Sequence, residues 1–157
     1  MTSNPLLLRR SRSSARRARL LACAAVVATA LATQPTRVQA QAFQGGISGT
    51  SGSVTRTPTS GTTETITIGS PTAIIDWVPS CSTCPGTFDF LPTANTATFE
   101  GASNFAVLNR IGGSSTIQFN GTVISQLQGS PGTRTGTILF QAPNGLIVGP
   151  TAVFNVG

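Results

Sequence analysis

Cys81 and Cys84, spaced as CSTC, and four carboxylates, Glu64, Asp76, Asp89 and Glu100, are the side chains best placed for redox, metal or acid–base chemistry. Their company is sparse. The chain has no His and no Tyr, and all ten of its basic residues are Arg. Without His or Lys, a general base poised near neutrality or a Schiff-base nucleophile is hard to assemble. Zinc takes about four Cys, His or carboxylate ligands, and the CSTC pair has no second pair to complete the set. A redox CxxC opens a helix in a βαβ unit, whereas PGTFDF follows here, so that chemistry is not expected either. The carboxylates are single, scattered and flanked by strand residues, which opposes a paired-acid glycosidase. The expectation is a protein that is not an enzyme and carries no cofactor and no metal.

The elements around these residues are short strands. TETITIG alternates, with Ile66 and Ile68 on one face and Thr65 and Thr67 on the other. TAIIDWV is apolar on both faces apart from Asp76, and TFDFL points Phe88 and Phe90 inward and Asp89 outward. TATF, NFAVLNRI, STIQF, GTVISQL, TGTILF, GLIV and TAVFNV continue the pattern, with Pro, Gly or Asn in most gaps. No sustained helical period appears beyond residue 40, so the chain reads as all-β. Pro143, Asn144 and Gly145 mark a β-turn, Pro143 fixing φ and Asn144 or Gly145 accepting positive φ. Trp77 reads as a core or rim anchor and Arg110 as a solvated charge at a strand end.

A spaced echo suggests how the strands connect. IQFNG begins at Ile117 and ILFQA at Ile138, 21 residues later, with Phe119 and Phe140 at the same interval. A period in the low twenties fits one coil of a β-solenoid, although NG at 120–121 and 144–145 also permits a meander. A solenoid would leave TAVFNVG as a coil with an open edge, and the expectation is an incomplete solenoid in a truncated chain.

The N-terminus accounts for the net charge. Seven Arg precede residue 41, followed by the apolar run LLACAAVVATALA at 20–32 and a polar stretch closing on VQA and AQA. Residues 1–40 therefore read as a secretory signal peptide, with cleavage after Ala40, Ala42 or Ala32. The apolar run is shorter than the roughly 20 residues of a membrane-spanning helix, so no membrane span is expected. Beyond residue 40, Arg56, Arg110 and Arg134 face four acids, a balance of −1 that removes any argument for nucleic acid. In the oxidising compartment such a leader implies, Cys81 and Cys84 are expected to form a small structural disulfide. Residues 41–62, rich in Gly, Ser and Thr, read as a flexible or weakly ordered lead-in, and residues 63–157 as the folded domain.

NFAVLNRI at 104–111, IQFNGTVISQL at 117–127 and TILFQAPNGLIVGPTAVFNVG at 137–157 together carry a resemblance. They are similar to the N-terminal secretion domain of filamentous-haemagglutinin-type exoproteins, over roughly residues 63–157. Leu108, Asn109, Arg110 and Ile111 match the family's strand motif. Pro143, Asn144, Gly145, Gly149, Val153, Asn155 and Gly157 match its turn and the strands after it, while Ala142 stands where the family usually has Asn. The resemblance implies a right-handed parallel β-helix, secreted through the periplasm to the surface of a Gram-negative bacterium. Its implied partner is an outer-membrane transporter of the two-partner-secretion type. Contact with host or neighbouring cells would belong to a missing downstream region.

Overall fold

The computed structural model describes residues 41–157, so the basic and apolar leader, with Ala32 and Ala40, lies outside the described residues. Twelve strands follow in chain order. They are β1 (Gly45–Ser51), β2 (Val54–Pro58), β3 (Thr63–Ile68), β4 (Thr72–Pro79), β5 (Thr87–Leu91) and β6 (Thr96–Gly101). The rest are β7 (Ala106–Ile111), β8 (Thr116–Phe119), β9 (Thr122–Leu127), β10 (Thr137–Gln141), β11 (Leu146–Val148) and β12 (Val153–Asn155).

From β3 onward the chain winds through three sheets in rotation. β4, β7 and β10 stack in one sheet, β5, β8 and β11 in a second, and β3, β6, β9 and β12 in a third, every pair parallel. The architecture is an all-β solenoid, a parallel β-helix of about three coils. Inward positions carry mostly Ile, Val and Phe and outward positions mostly Thr, and strands such as β3 and β6 alternate strictly between buried and half-buried residues, with Glu64, Ala97 and Gly101 also on the inward side.

The register corrects the 21-residue echo. Thr72 pairs with Ala106 and Ala106 with Thr137, intervals of 34 and 31 residues. Thr87 pairs with Thr116 and Ile117 with Leu146, intervals of 29 in both cases. Ile117 and Ile138 lie in different sheets, on β8 and β10. One coil must fit three strands and three corners, which takes more residues than the echo allows. The repeated string reports a shared strand chemistry, not two stacked rungs.

Residues 41–62 also differ from expectation, because they hold β1 and β2. β1 pairs antiparallel with β4, and β2 antiparallel with β3, which covers the first edge of two sheets. The third sheet is met by the segment before β1, where the Gln44 amide donates to the Phe90 carbonyl at 2.8 Å. Gly, Ser and Thr predominate here because β1 and β2 are edge strands whose outward residues face solvent. Phe43 supplies the apolar mass. It is fully buried, stacks on Phe90 at 5.0 Å between centroids and meets Trp77 edge-on at 5.1 Å. The aromatic column continues through Phe119, Phe140 and Phe154, with neighbouring centroids 4.8 to 6.3 Å apart.

The opposite end is not closed within residues 41–157. Leu139, Leu146, Ile147, Val148, Val153, Phe154 and Val156 are exposed there, Val148 by 64% and Leu139 by 53%. In TFDFL a register shift between Asp89 and Leu91 lets Phe90 and Leu91 both turn inward, while Phe88 and Asp89 are half-buried. No helix of the described residues is long and apolar enough to cross a membrane, a statement that does not bear on β-barrels.

Candidate functional site

The turn motif sits at the corner between the β10 and β11 sheets. Its backbone closes with the Gly145 amide donating to the Ala142 carbonyl at 3.3 Å, and Gly145 takes the positive φ, +93°. Asn144 is tied to the coil before it. Its Nδ2 donates to the Gly113 carbonyl at 3.0 Å, and its own carbonyl accepts from Thr116 Oγ1 at 3.1 Å. Below that coil lies the Cys81–Cys84 loop, bonded into a disulfide with Cα atoms 5.5 Å apart. The Ser114 amide and hydroxyl donate to the Ser82 carbonyl, and Ser115 Oγ donates to the Cys84 carbonyl. Three successive corners, 80–86, 112–115 and 142–145, thus form one hydrogen-bonded column.

The strand motif divides by face. Ile111 and Asn109 are buried, Leu108 is half-buried and Arg110 is exposed. Asn109 Oδ1 accepts from Trp77 Nε1 at 3.0 Å, and its Nδ2 donates to the Leu139 carbonyl at 3.2 Å, so it bonds to the coils on either side. Trp77 is a core residue. Arg110 grips Asp76 of the preceding coil through two bonds, Nε to Oδ1 at 2.6 Å and Nη2 to Oδ2 at 2.8 Å. Those bonds hold the Asp76 carboxyl below the usual carboxylate range and raise the Arg110 guanidinium above its own.

A shallow groove of about 370 Å³ joins the two motifs. It is lined by Asp76, Trp77, Val78, Arg110, Gln141 and Pro143 among others. This surface can offer a partner a fixed ion pair, an amide and an apolar floor, all held in place by the coils beneath.

The remaining acids are dispersed. Asp89 Oδ2 accepts from Asn120 Nδ2 at 2.9 Å, and its Oδ1 is buried without a hydrogen-bond partner. Glu100 accepts from Thr67 Oγ1 at 3.3 Å. Among the described residues no group of three or more His, Cys, Asp or Glu could hold a metal ion. The four carboxylates take separate partners, Glu64 with Arg56, Asp76 with Arg110, Asp89 with Asn120 and Glu100 with Thr67.

Sequence reasoning missed the polar centre of the cap. Glu64 is fully buried and accepts from Arg56 Nη2 at 2.7 Å, Arg56 Nε at 3.0 Å and the Phe43 amide at 3.3 Å. Arg56 also donates to the Gly45 and Phe43 carbonyls, and its guanidinium lies over the Trp77 ring at 4.8 Å. Burial pushes the Glu64 carboxyl up from its ordinary value, and the charge and hydrogen bonds of Arg56 offset part of that rise. The alternation of VTRTP was the available signal, placing Arg56 on the face opposite Thr55 and Thr57.

No protein-family model, no characterised protein and no solved structure matches this chain.

Proposed function

We propose that the chain is the secretion and folding-nucleation module of a large exported, adhesin-like exoprotein, recognised by an outer-membrane transporter of the two-partner-secretion type. The observation that carries this reading is the inequality of the solenoid's two ends. β1, β2 and Phe43 close the first coil, whereas the last coil presents free strand edges and exposed apolar side chains. Such a body is a starting block. Further polypeptide laid on the free edges gains backbone pairing and buries apolar area at about 25 cal/mol per Å². The periplasm holds no ATP, so stacking outside the cell can give export its direction.

Recognition falls to the groove between Arg110 and Pro143 and to the corner column that fixes the Asn144 turn. In this reading the protein is secreted through the periplasm to the cell surface. Adhesion belongs to downstream sequence, and the module itself is not an enzyme.

A self-contained surface subunit that assembles through strand edges is the rival, and the same free edges favour it. The cap limits that rival. With β4 and β3 already paired, a head-to-tail copy would have to join the outer edges of β1 and β2, which are short on apolar side chains, whereas tail-to-tail copies would meet through the exposed apolar residues of the last coil.

An antiserum against residues 63–157, applied to cell fractions and medium, tests the choice. A surface or medium band several times larger than 16.0 kDa, lost on deleting the transporter, is expected. A band near the mass of the processed chain that persists without the transporter would overturn the export-module reading and favour the subunit.

A further inference from the structure

We propose that a membrane-bound signal peptidase cuts this chain between Ala40 and Gln41, so that the folded domain begins at Gln41. The inference rests on the export reading. Hydrolysis breaks the Ala40–Gln41 peptide bond, water giving its hydroxyl to the new Ala40 carboxyl group and a proton to the Gln41 amine.

Such a peptidase reads small side chains three residues and one residue before the cut in an extended chain. Val38 with Ala40, and Ala40 with Ala42, both satisfy it. The two products fare differently once folded. Ala42 and Phe43 are both fully buried in the cap. The Ala42 carbonyl accepts from Asn95 Nδ2 at 2.9 Å, and Asn95 is itself buried. The Phe43 amide donates to Glu64 Oε1, whose carboxylate already neutralises Arg56.

A cut after Ala42 would remove the acceptor of Asn95 and leave a buried donor unsatisfied. It would also turn the Phe43 nitrogen into a terminal amine inside the cap. Protonated, that amine adds a second cation beside a carboxylate that has one already; neutral, it gives up its proton in a place that water does not reach. A cut after Ala40 avoids both costs. Gln41 is half-exposed, so its new ammonium meets water, and its carbonyl still accepts from Gln44 Nε2 at 3.0 Å. The peptidase can use either position, but only one product completes the cap.

The test expresses the full chain in a Gram-negative host and determines the intact mass and first residues of the product. A periplasmic or secreted product beginning at Gln41 is expected. One beginning at Phe43, or at Thr33 after the Ala32 position, would overturn the assignment while leaving export standing. A cytoplasmic product that retains residues 1–40 would overturn the export reading and the assignment together. Val38→Glu provides a second arm, because it spoils the Ala40 position and lies too far from the Ala42 position to matter there. In that variant the Gln41-initiated product is expected to disappear, replaced by precursor or by a Phe43-initiated product, and a Gln41-initiated product formed at the wild-type rate would sink the proposal.

Discussion

Trp77 Nε1 donates to Asn109 Oδ1 at 3.0 Å across 32 residues of sequence, joining the first coil to the second inside the core. Asn109 therefore does its work facing inward. Of the LNRI residues, Arg110 is the one with an exposed side chain, half of it open to a partner.

Replacing Asn109 with Leu leaves the indole N–H of Trp77 and the Leu139 carbonyl each without this partner. The expected loss is about 1–3 kcal/mol, the usual cost of an unsatisfied buried group. Urea unfolding monitored by circular dichroism measures it. An unchanged midpoint would mean that the bond contributes nothing net.

Arg56→Met removes the cation that compensates buried Glu64, together with the bonds to the Phe43 and Gly45 carbonyls. Breaking a buried pair from one side typically costs about 3–5 kcal/mol. Adding Glu64→Gln should recover part of that loss, since the orphaned charge disappears. A double variant less stable than Arg56→Met would contradict the arrangement.

The raised Glu64 carboxyl also gives a pH signature. In the unfolded chain it ionises near its ordinary value of 4.5, while the folded form holds its proton to higher pH. Between the two values the native state binds more protons, so this contribution to stability falls as pH rises and levels off above the folded value. Denaturation midpoints of wild type and Glu64→Gln, measured from below 4.5 upward, should show that declining difference. A difference that grows with pH would reverse the sign.

Asn144 separates turn formation from recognition. Asn144→Asp replaces the donor to the Gly113 carbonyl with a negative acceptor, so a stability loss of about 1 kcal/mol or less is expected at this exposed site. Gly145→Ala should cost about 1 kcal/mol as well, because φ of +93° strains any L side chain. If the transporter reads the Asn144 side chain, secretion of Asn144→Asp drops far more than that of Gly145→Ala at equal folded fraction. Equal secretion from the two would remove the side chain from the recognition surface.

Much of the solenoid was legible because its grammar is local. Ile66 and Ile68 against Thr65 and Thr67 describe a half-buried strand wherever its neighbours lie. The coil length was not legible. Ile117 and Ile138 resemble each other as inward residues of similar strands, and resemblance cannot say which sheet each joins. The cap was hidden for a different reason. Gly45–Ser51 lacks the apolar alternation of a core strand, since Ile47 is its one apolar side chain packed against the core and the rest are Gly, Ser and Thr. Arg56 and Glu64 are eight residues apart, and only the antiparallel register of β2 on β3 brings them together. Of the corner column, PNG was readable as a turn, but its hold on Gly113 depends on a coil spacing that the echo misjudged.

Trp77 is the chain's single tryptophan, there is no tyrosine, and its ring lies between Phe43, Arg56 and Asn109. Intrinsic fluorescence from this protein is therefore a local gauge of the closed end alone. The phenylalanines from Phe90 to Phe154 run the length of the stack and give the sharp short-wavelength bands of its near-ultraviolet dichroism, apart from the Trp77 bands. Unfolding followed by the two signals together would show whether the molecule melts as one body or unzips from its free end. In the second case, emission would hold steady while the dichroism had already begun to fall.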